Sequence, residues 1–195
     1  VTQSATTGNQ KIDLTQTGQT SSQQFVNYLT SPGTVASVTQ NYSNSGKAAN
    51  LLQNTTDNSN QALNAIEMTG ATSVLATGTQ TVNLSSLDMG QGESEANTSS
   101  FQAGNLLISA GTIASATQEV TADITLDQAK GTGNVEAVNL ASGKTITSLS
   151  QTVTGLSDEL NQGATDSEAN TQAGNYLAIA QGGAVTSVAQ TYNAT

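Results

Sequence analysis

The stretch FQAGNLLISAGTIASATQ (101–118) decides the fold, because it recurs in variant form at four other places. The other copies are QQFVNYLTSPGTVASVTQ (23–40), NQALNAIEMTGATSVLATGTQ (60–80), VEAVNLASGKTITSLSQ (135–151) and TQAGNYLAIAQGGAVTSVAQ (171–190). Each carries an asparagine near its start, at Asn27, Asn64, Asn105, Asn139 and Asn175, spaced 37, 41, 34 and 36 residues apart. Each closes on a glutamine, at Gln40, Gln80, Gln118, Gln151 and Gln190, with a glycine in between. Low-complexity drift generates short matches in a chain rich in amides, but it does not keep five ordered Asn–Gly–Gln sets in phase. Self-similarity at a fixed period is the mark of a repeat architecture.

A looser second segment fills the gaps, as in TVNLSSLDMGQGESEANT (81–98), EVTADITLDQAKGTGN (119–134) and TVTGLSDELNQGATDSEANT (152–171). The tetrapeptide Ser94–Asn97 returns as Ser167–Asn170, 73 residues later. The reading divides the chain into an N-terminal half-repeat (1–22), four repeats (23–171) and a C-terminal half-repeat (172–195).

Within four of the five first segments two small or aliphatic residues stand three apart: Val35/Val38, Ile113/Ala116, Ile146/Leu149 and Val185/Val188. That spacing puts two side chains on one face of a helix but on opposite faces of a straight strand. Ile146, Leu149, Val153, Leu156 and Leu160 even follow a heptad rhythm, so 146–160 is where a helix competes best. Against helix stand the Thr-rich intervening positions, frequent glycines and few Glu or Lys. Val, Ile and Thr together supply 50 residues, which favours strands. The expectation is an all-β chain: a β-solenoid or stack of β-arches with about five repeats of roughly 37 residues.

Composition narrows the function. Thr, Ser, Gln and Asn fill 90 of 195 positions, and Arg, His, Cys and Trp are absent. Without them there is no Ser-His-Asp or Cys-His catalysis, no Cys/His zinc site and no bidentate arginine clamp. No enzyme activity and no cofactor are expected. A net charge of −10 repels nucleic acid, and no apolar run is long enough to span a bilayer as a helix. The acidic positions Asp57, Glu93, Glu95, Asp158, Glu159, Asp166 and Glu168 fall in turns without the dense ligand pattern of a calcium loop. Calcium is therefore not expected as a partner, and the charges read as solvated. The chain begins at Val1, which fits removal of an export signal, and the hydroxyl-rich, cysteine-free composition suits a secreted surface protein.

Stacked carboxamides can hydrogen-bond as ladders, because each both donates and accepts. The five asparagines and five glutamines named above are the ladder candidates. Gln91 and Asn58 lie outside those columns and serve as comparison positions.

The motifs Gln102-Ala103-Gly104-Asn105 and Gln172-Ala173-Gly174-Asn175 resemble curlin repeats, and the 37-residue period with its Asn-Gly-Ala texture resembles the Fap type of bacterial functional amyloid. The resemblance implies an exported subunit that assembles into biofilm fibres. The period is longer than in curlin, and the Cys-x-x-Cys element of the Fap type is missing. The leading expectation is a self-assembling extracellular filament subunit. The alternative is a repeat piece of a surface adhesin or of an ice- or glycan-binding solenoid. In the filament reading, the C-terminal half-repeat of one subunit is completed by residues 1–22 of the next. Ile12 and Leu14 then meet the neighbour's Val185, Val188 and Tyr192.

Overall fold

A computed structural model of the chain describes residues 1–6, 10–54, 56–92, 97–162 and 167–194. Fifteen strands, all paired in parallel, wind into a β-solenoid of about five turns, and no helix occurs among the described residues.

The strands are β1 (Thr2–Ala5), β2 (Ile12–Thr17), β3 (Gln23–Ser31), β4 (Thr34–Val35), β5 (Val38–Asn54), β6 (Asn60–Met68), β7 (Val74–Leu75), β8 (Gly78–Gln91), β9 (Asn97–Thr98), β10 (Phe101–Ile113), β11 (Ala116–Gln128), β12 (Gly131–Thr132), β13 (Val135–Gln162), β14 (Ser167–Glu168) and β15 (Thr171–Ala194). They stack in three long columns. Column I holds 2–5, 38–44, 78–84, 116–122, 149–155 and 188–194. Column II holds 12–17, 49–54, 87–91, 124–128 and 158–162. Column III holds 23–31, 60–68, 101–109, 135–143 and 171–179. A short corner column joins III to I through 34–35, 74–75, 112–113, 145–146 and 184–185. Residues 1–22 thus contribute β1 and β2 to the same coil as β3.

The corner explains the spacing of three. In Ile113 and Ala116 the chain turns at Ala114 and Ser115, so both side chains point into one apolar cluster with Val38, Ile66, Leu75, Leu107, Ile146 and Leu149. The run 146–160 is strand, and Ile146 and Leu149 enter the same cluster as Ile113 and Ala116. Columns I and II alternate more simply. Along β11, Ala116, Gln118, Val120, Ala122, Ile124, Leu126 and Gln128 are buried, and the residues between them are not. Val120, Ala122, Ile124 and Leu126 join Tyr42, Leu51, Leu63, Val82, Leu87, Met89, Val138 and Val153 in a second cluster.

Before each column III strand the backbone turns through the left-handed region, at Ser21, Asn58, Ser99, Gly133 and Ala169, with φ of 53, 50, 49, 68 and 53°. Only one of the five is glycine, although this region disfavours other residues. Side chains brace the corner. Asn134 Oδ1 accepts the Ser100 N–H at 3.0 Å, and Asn170 Oδ1 accepts the Asn134 N–H at 2.9 Å. Asn97 and Asn134 donate to the Gln53 and Asn97 carbonyls at 2.8 and 3.1 Å. Asn97 and Asn170 both close a Ser-Glu-Ala-Asn tetrapeptide, but they stand at different places: Asn97 shares its register position with Ser167, and Asn170 with Asn134.

Candidate functional site

The candidate site is the set of buried amide ladders and the two coil faces on which they end. The asparagine column is continuous: Asn27 Nδ2 donates to Asn64 Oδ1 at 2.8 Å, Asn64 to Asn105 at 2.9 Å, Asn105 to Asn139 at 2.9 Å and Asn139 to Asn175 at 3.0 Å. Each nitrogen spends its second hydrogen on a column I carbonyl, at Asn41, Thr81, Glu119, Thr152 and Thr191, over 2.9–3.0 Å. That second bond fixes which end of each amide is nitrogen, so the direction of the ladder is determined.

The glutamine column of column I runs the opposite way. Gln40 donates to Gln3, Gln80 to Gln40, Gln118 to Gln80, Gln151 to Gln118 and Gln190 to Gln151, at 2.7–2.9 Å. It also begins one coil earlier than the repeats alone suggest, at Gln3.

Two more ladders escaped the sequence reading. In column II, Gln53 donates to Gln16, Gln91 to Gln53 and Gln128 to Gln91, at 2.7–2.9 Å. Gln91 is thus a fully buried ladder residue and not a neutral comparison position. Asn58 is one of the left-handed corners and makes its side-chain bond to Asp57. In column III, Gln61 donates to Gln24 and Gln102 to Gln61 at 2.7 and 2.8 Å, and Gln172 donates to Glu136 at 2.8 Å. Both series were legible as spacings: 37, 38 and 37 for the first, and Gln-x-x-Asn pairs for the second.

The ladders end differently at the two faces. The N-terminal face presents the edges of 2–5, 12–17, 23–31 and 34–35. The C-terminal face presents 158–162, 171–179, 184–185 and 188–194. Asn27 Oδ1 is an acceptor at the first face, and Asn175 carries an N–H beyond its Thr191 bond at the second. Val185, Val188 and Tyr192 are 41%, 37% and 42% exposed, and all three lie on the C-terminal face. Ile12 and Leu14 are partly buried against the core and sit in column II, whereas Val185 is a corner residue and Val188 and Tyr192 belong to column I. The five do not share a column.

Among the described residues no three carboxylates converge on a point that could hold a metal ion. Glu93, Glu95 and Asp166 lie outside the described residues, as do the side chains of Asp158 and Glu168. Two carboxylates are buried in column III. Glu67 accepts the Tyr28 hydroxyl at 2.7 Å and the Gln23 amide at 3.2 Å. Burial, and then the bond to Glu67, raises the Tyr28 hydroxyl above its ordinary pKa. Glu136 stands in the ladder where the other coils have glutamine.

No known protein family, curated protein or solved structure matches this chain.

Proposed function

We propose that this protein is a secreted structural subunit that stacks end to end with copies of itself into an extracellular filament, a role that involves no catalysis. The observation that carries the reading is the match between the two faces. Both expose parallel strands of the same columns in the same order, and the backbone donors and acceptors of such edges are ready-made templates for another chain. Ladder polarity supports one orientation. Head to tail, the donor Asn175 faces the acceptor Asn27 and each column stays parallel. Head to head, Asn175 would face Asn175 and two donors would meet. A heterologous contact that does not close a ring propagates as a filament.

The exposed Val185, Val188 and Tyr192 support burial of the C-terminal face by a partner, since sheet edges that stay monomeric are usually blunted by charge or proline. The Gln-Ala-Gly-Asn likeness to curlin repeats points the same way, toward a biofilm matrix. The hydroxyl- and amide-rich, cysteine-free composition supports export, and the charge of −10 argues against nucleic acid as a partner. The test is electron microscopy and fibre diffraction of the purified protein at neutral pH. Unbranched filaments with a repeat of about 4.8 Å along the axis are expected, since coils stack at the strand spacing. A persistent monomer at high concentration overturns the reading.

A further inference from the structure

Among the described residues column I has six strands where columns II and III have five. The surplus creates a conflict at any head-to-tail joint. The glutamine side chains show which strands share a level. Gln3 donates to the Tyr28 carbonyl at 2.8 Å, Gln40 to Ala65 at 2.9 Å, Gln80 to Leu106 at 3.0 Å, Gln118 to Leu140 at 3.1 Å and Gln151 to Tyr176 at 3.2 Å. Gln190 comes next in this series, and its level in column III would be filled by Tyr28 of the following subunit. Gln3 of that subunit already holds the same place. Residues 1–5 of one copy and 188–194 of another therefore compete for a single slot beneath 38–44.

Resting on the filament reading, we propose that growth proceeds by strand exchange: residues 188–194 of one subunit displace residues 1–5 of the next and complete its column I. If β1 stays, it can only sit on top of 188–194, and columns II and III are held apart by one missing strand, about 4.8 Å. With β1 displaced, every column closes in register. The incoming strand is equivalent in pattern, since Val1-Thr2-Gln3-Ser4 matches Val188-Ala189-Gln190-Thr191. Gln190 replaces Gln3 as acceptor for Gln40, because Gln3 pairs with Gln40 in the same register as Gln190 with Gln151.

The incoming strand is also the better one. β1 pairs over four residues, and its Val1 is 65% exposed. It sets Ala5 against Tyr42, where exchange places Tyr192. Exchange therefore buries Val188 and Tyr192, which are exposed in the single subunit, and releases a short strand that buries little. β1 acts as a guard on the N-terminal edge until a neighbour removes it.

A reversible lock tests this on the full chain. Thr2 and Thr39 are register partners, and the chain has no cysteine of its own. A Thr2→Cys/Thr39→Cys protein carries one disulfide when oxidised, across a spacing that a disulfide can bridge. Seeded elongation, followed by light scattering, is expected at the wild-type rate when reduced and at least tenfold slower when oxidised. A control lock deeper in the column, Thr79→Cys/Thr117→Cys, should leave elongation unaltered in both states. Gln3→Ala removes the Gln40 acceptor, loosens β1 and should speed elongation several-fold. Equal elongation of the oxidised and reduced Thr2/Thr39 protein overturns the exchange while leaving the filament intact, as does unchanged or slower growth of Gln3→Ala. If neither wild type nor the reduced protein elongates, the filament reading itself falls, and the exchange with it.

Discussion

Two ladders run side by side on the strands of column III, three residues apart in sequence. One is Asn27–Asn64–Asn105–Asn139–Asn175, and the other is Gln24–Gln61–Gln102–Glu136–Gln172. They share strands, corners and burial, yet the first is unbroken and the second is interrupted. The Gln102 Oε1 atom is buried without a donor, and its register partner Glu136 has no amide N–H to offer. A ladder needs a group that gives and accepts at every rung. One carboxylate in an amide position stops the run without disturbing the fold around it.

The largest effect expected from this contrast is at the unbroken column. Asn105→Leu leaves the Asn64 amide without its acceptor and the Asn139 carbonyl and Glu119 carbonyl without their donor. At about 1–3 kcal/mol for each buried group left unsatisfied, the loss should reach about 3–5 kcal/mol. Gln102→Leu removes donors from Gln61 and Gly90 only, because Gln102 Oε1 already accepts nothing, so its cost should be about 1–3 kcal/mol. Urea unfolding of both variants checks the ranking, and equal losses would mean that ladder continuity contributes nothing.

The interruption should be repairable. Glu136→Gln places an N–H where the neighbouring rungs have one, restores a donor to Gln102 and keeps an acceptor for Gln172. It also removes a formal charge from a fully buried position. Stabilisation of about 1–3 kcal/mol is expected at neutral pH, read as a higher urea midpoint with unchanged slope. A destabilised variant would show that the carboxylate is held by contacts worth more than the ladder.

What could be read from the sequence follows from the same contrast. The repeat and its Asn and Gln columns were legible because identical residues recur in phase. Gln16, Gln53, Gln91 and Gln128 recur just as regularly, but they sit in the looser second segment, where Thr, Ser and Asn blur the pattern. The alternation Val120, Ala122, Ile124, Leu126 was a strand signal of period two in that segment. The corners were hidden for another reason. Ser21, Asn58, Ser99 and Ala169 adopt left-handed φ without glycine, so no residue type marks them, and the bend at 114–115, which turns Ile113 and Ala116 into one cluster, imitates helical spacing. Ladder direction depends on which amide atom faces which carbonyl, and the sequence does not carry that.

The smallest predicted effect has the opposite sign and comes from the second buried carboxylate. Glu67 lies in column III, as Glu136 does, but is ringed by donors, with the Tyr28 hydroxyl at 2.7 Å and Gln23 and Asn60 amides at 3.2 and 3.5 Å. Glu67→Gln turns one of its oxygens into a donor that must face another donor, so it should destabilise by about 0.5–1.5 kcal/mol where Glu136→Gln stabilises. Tyr28 supplies a second readout. Its pKa is raised above 10.0 by burial first and by the Glu67 bond second, so the folded chain keeps this proton at a pH where the unfolded chain releases it. That contribution is complete below pH 10 and is lost as pH rises through the raised value. In Glu67→Gln the Tyr28 titration, followed by tyrosinate absorbance, should move part of the way down and not all of it, because burial remains. The alkaline loss of stability should then be shallower than in wild type. An unmoved titration would mean that burial alone holds the proton, and that Glu67 is kept for its bonds to Gln23 and Asn60.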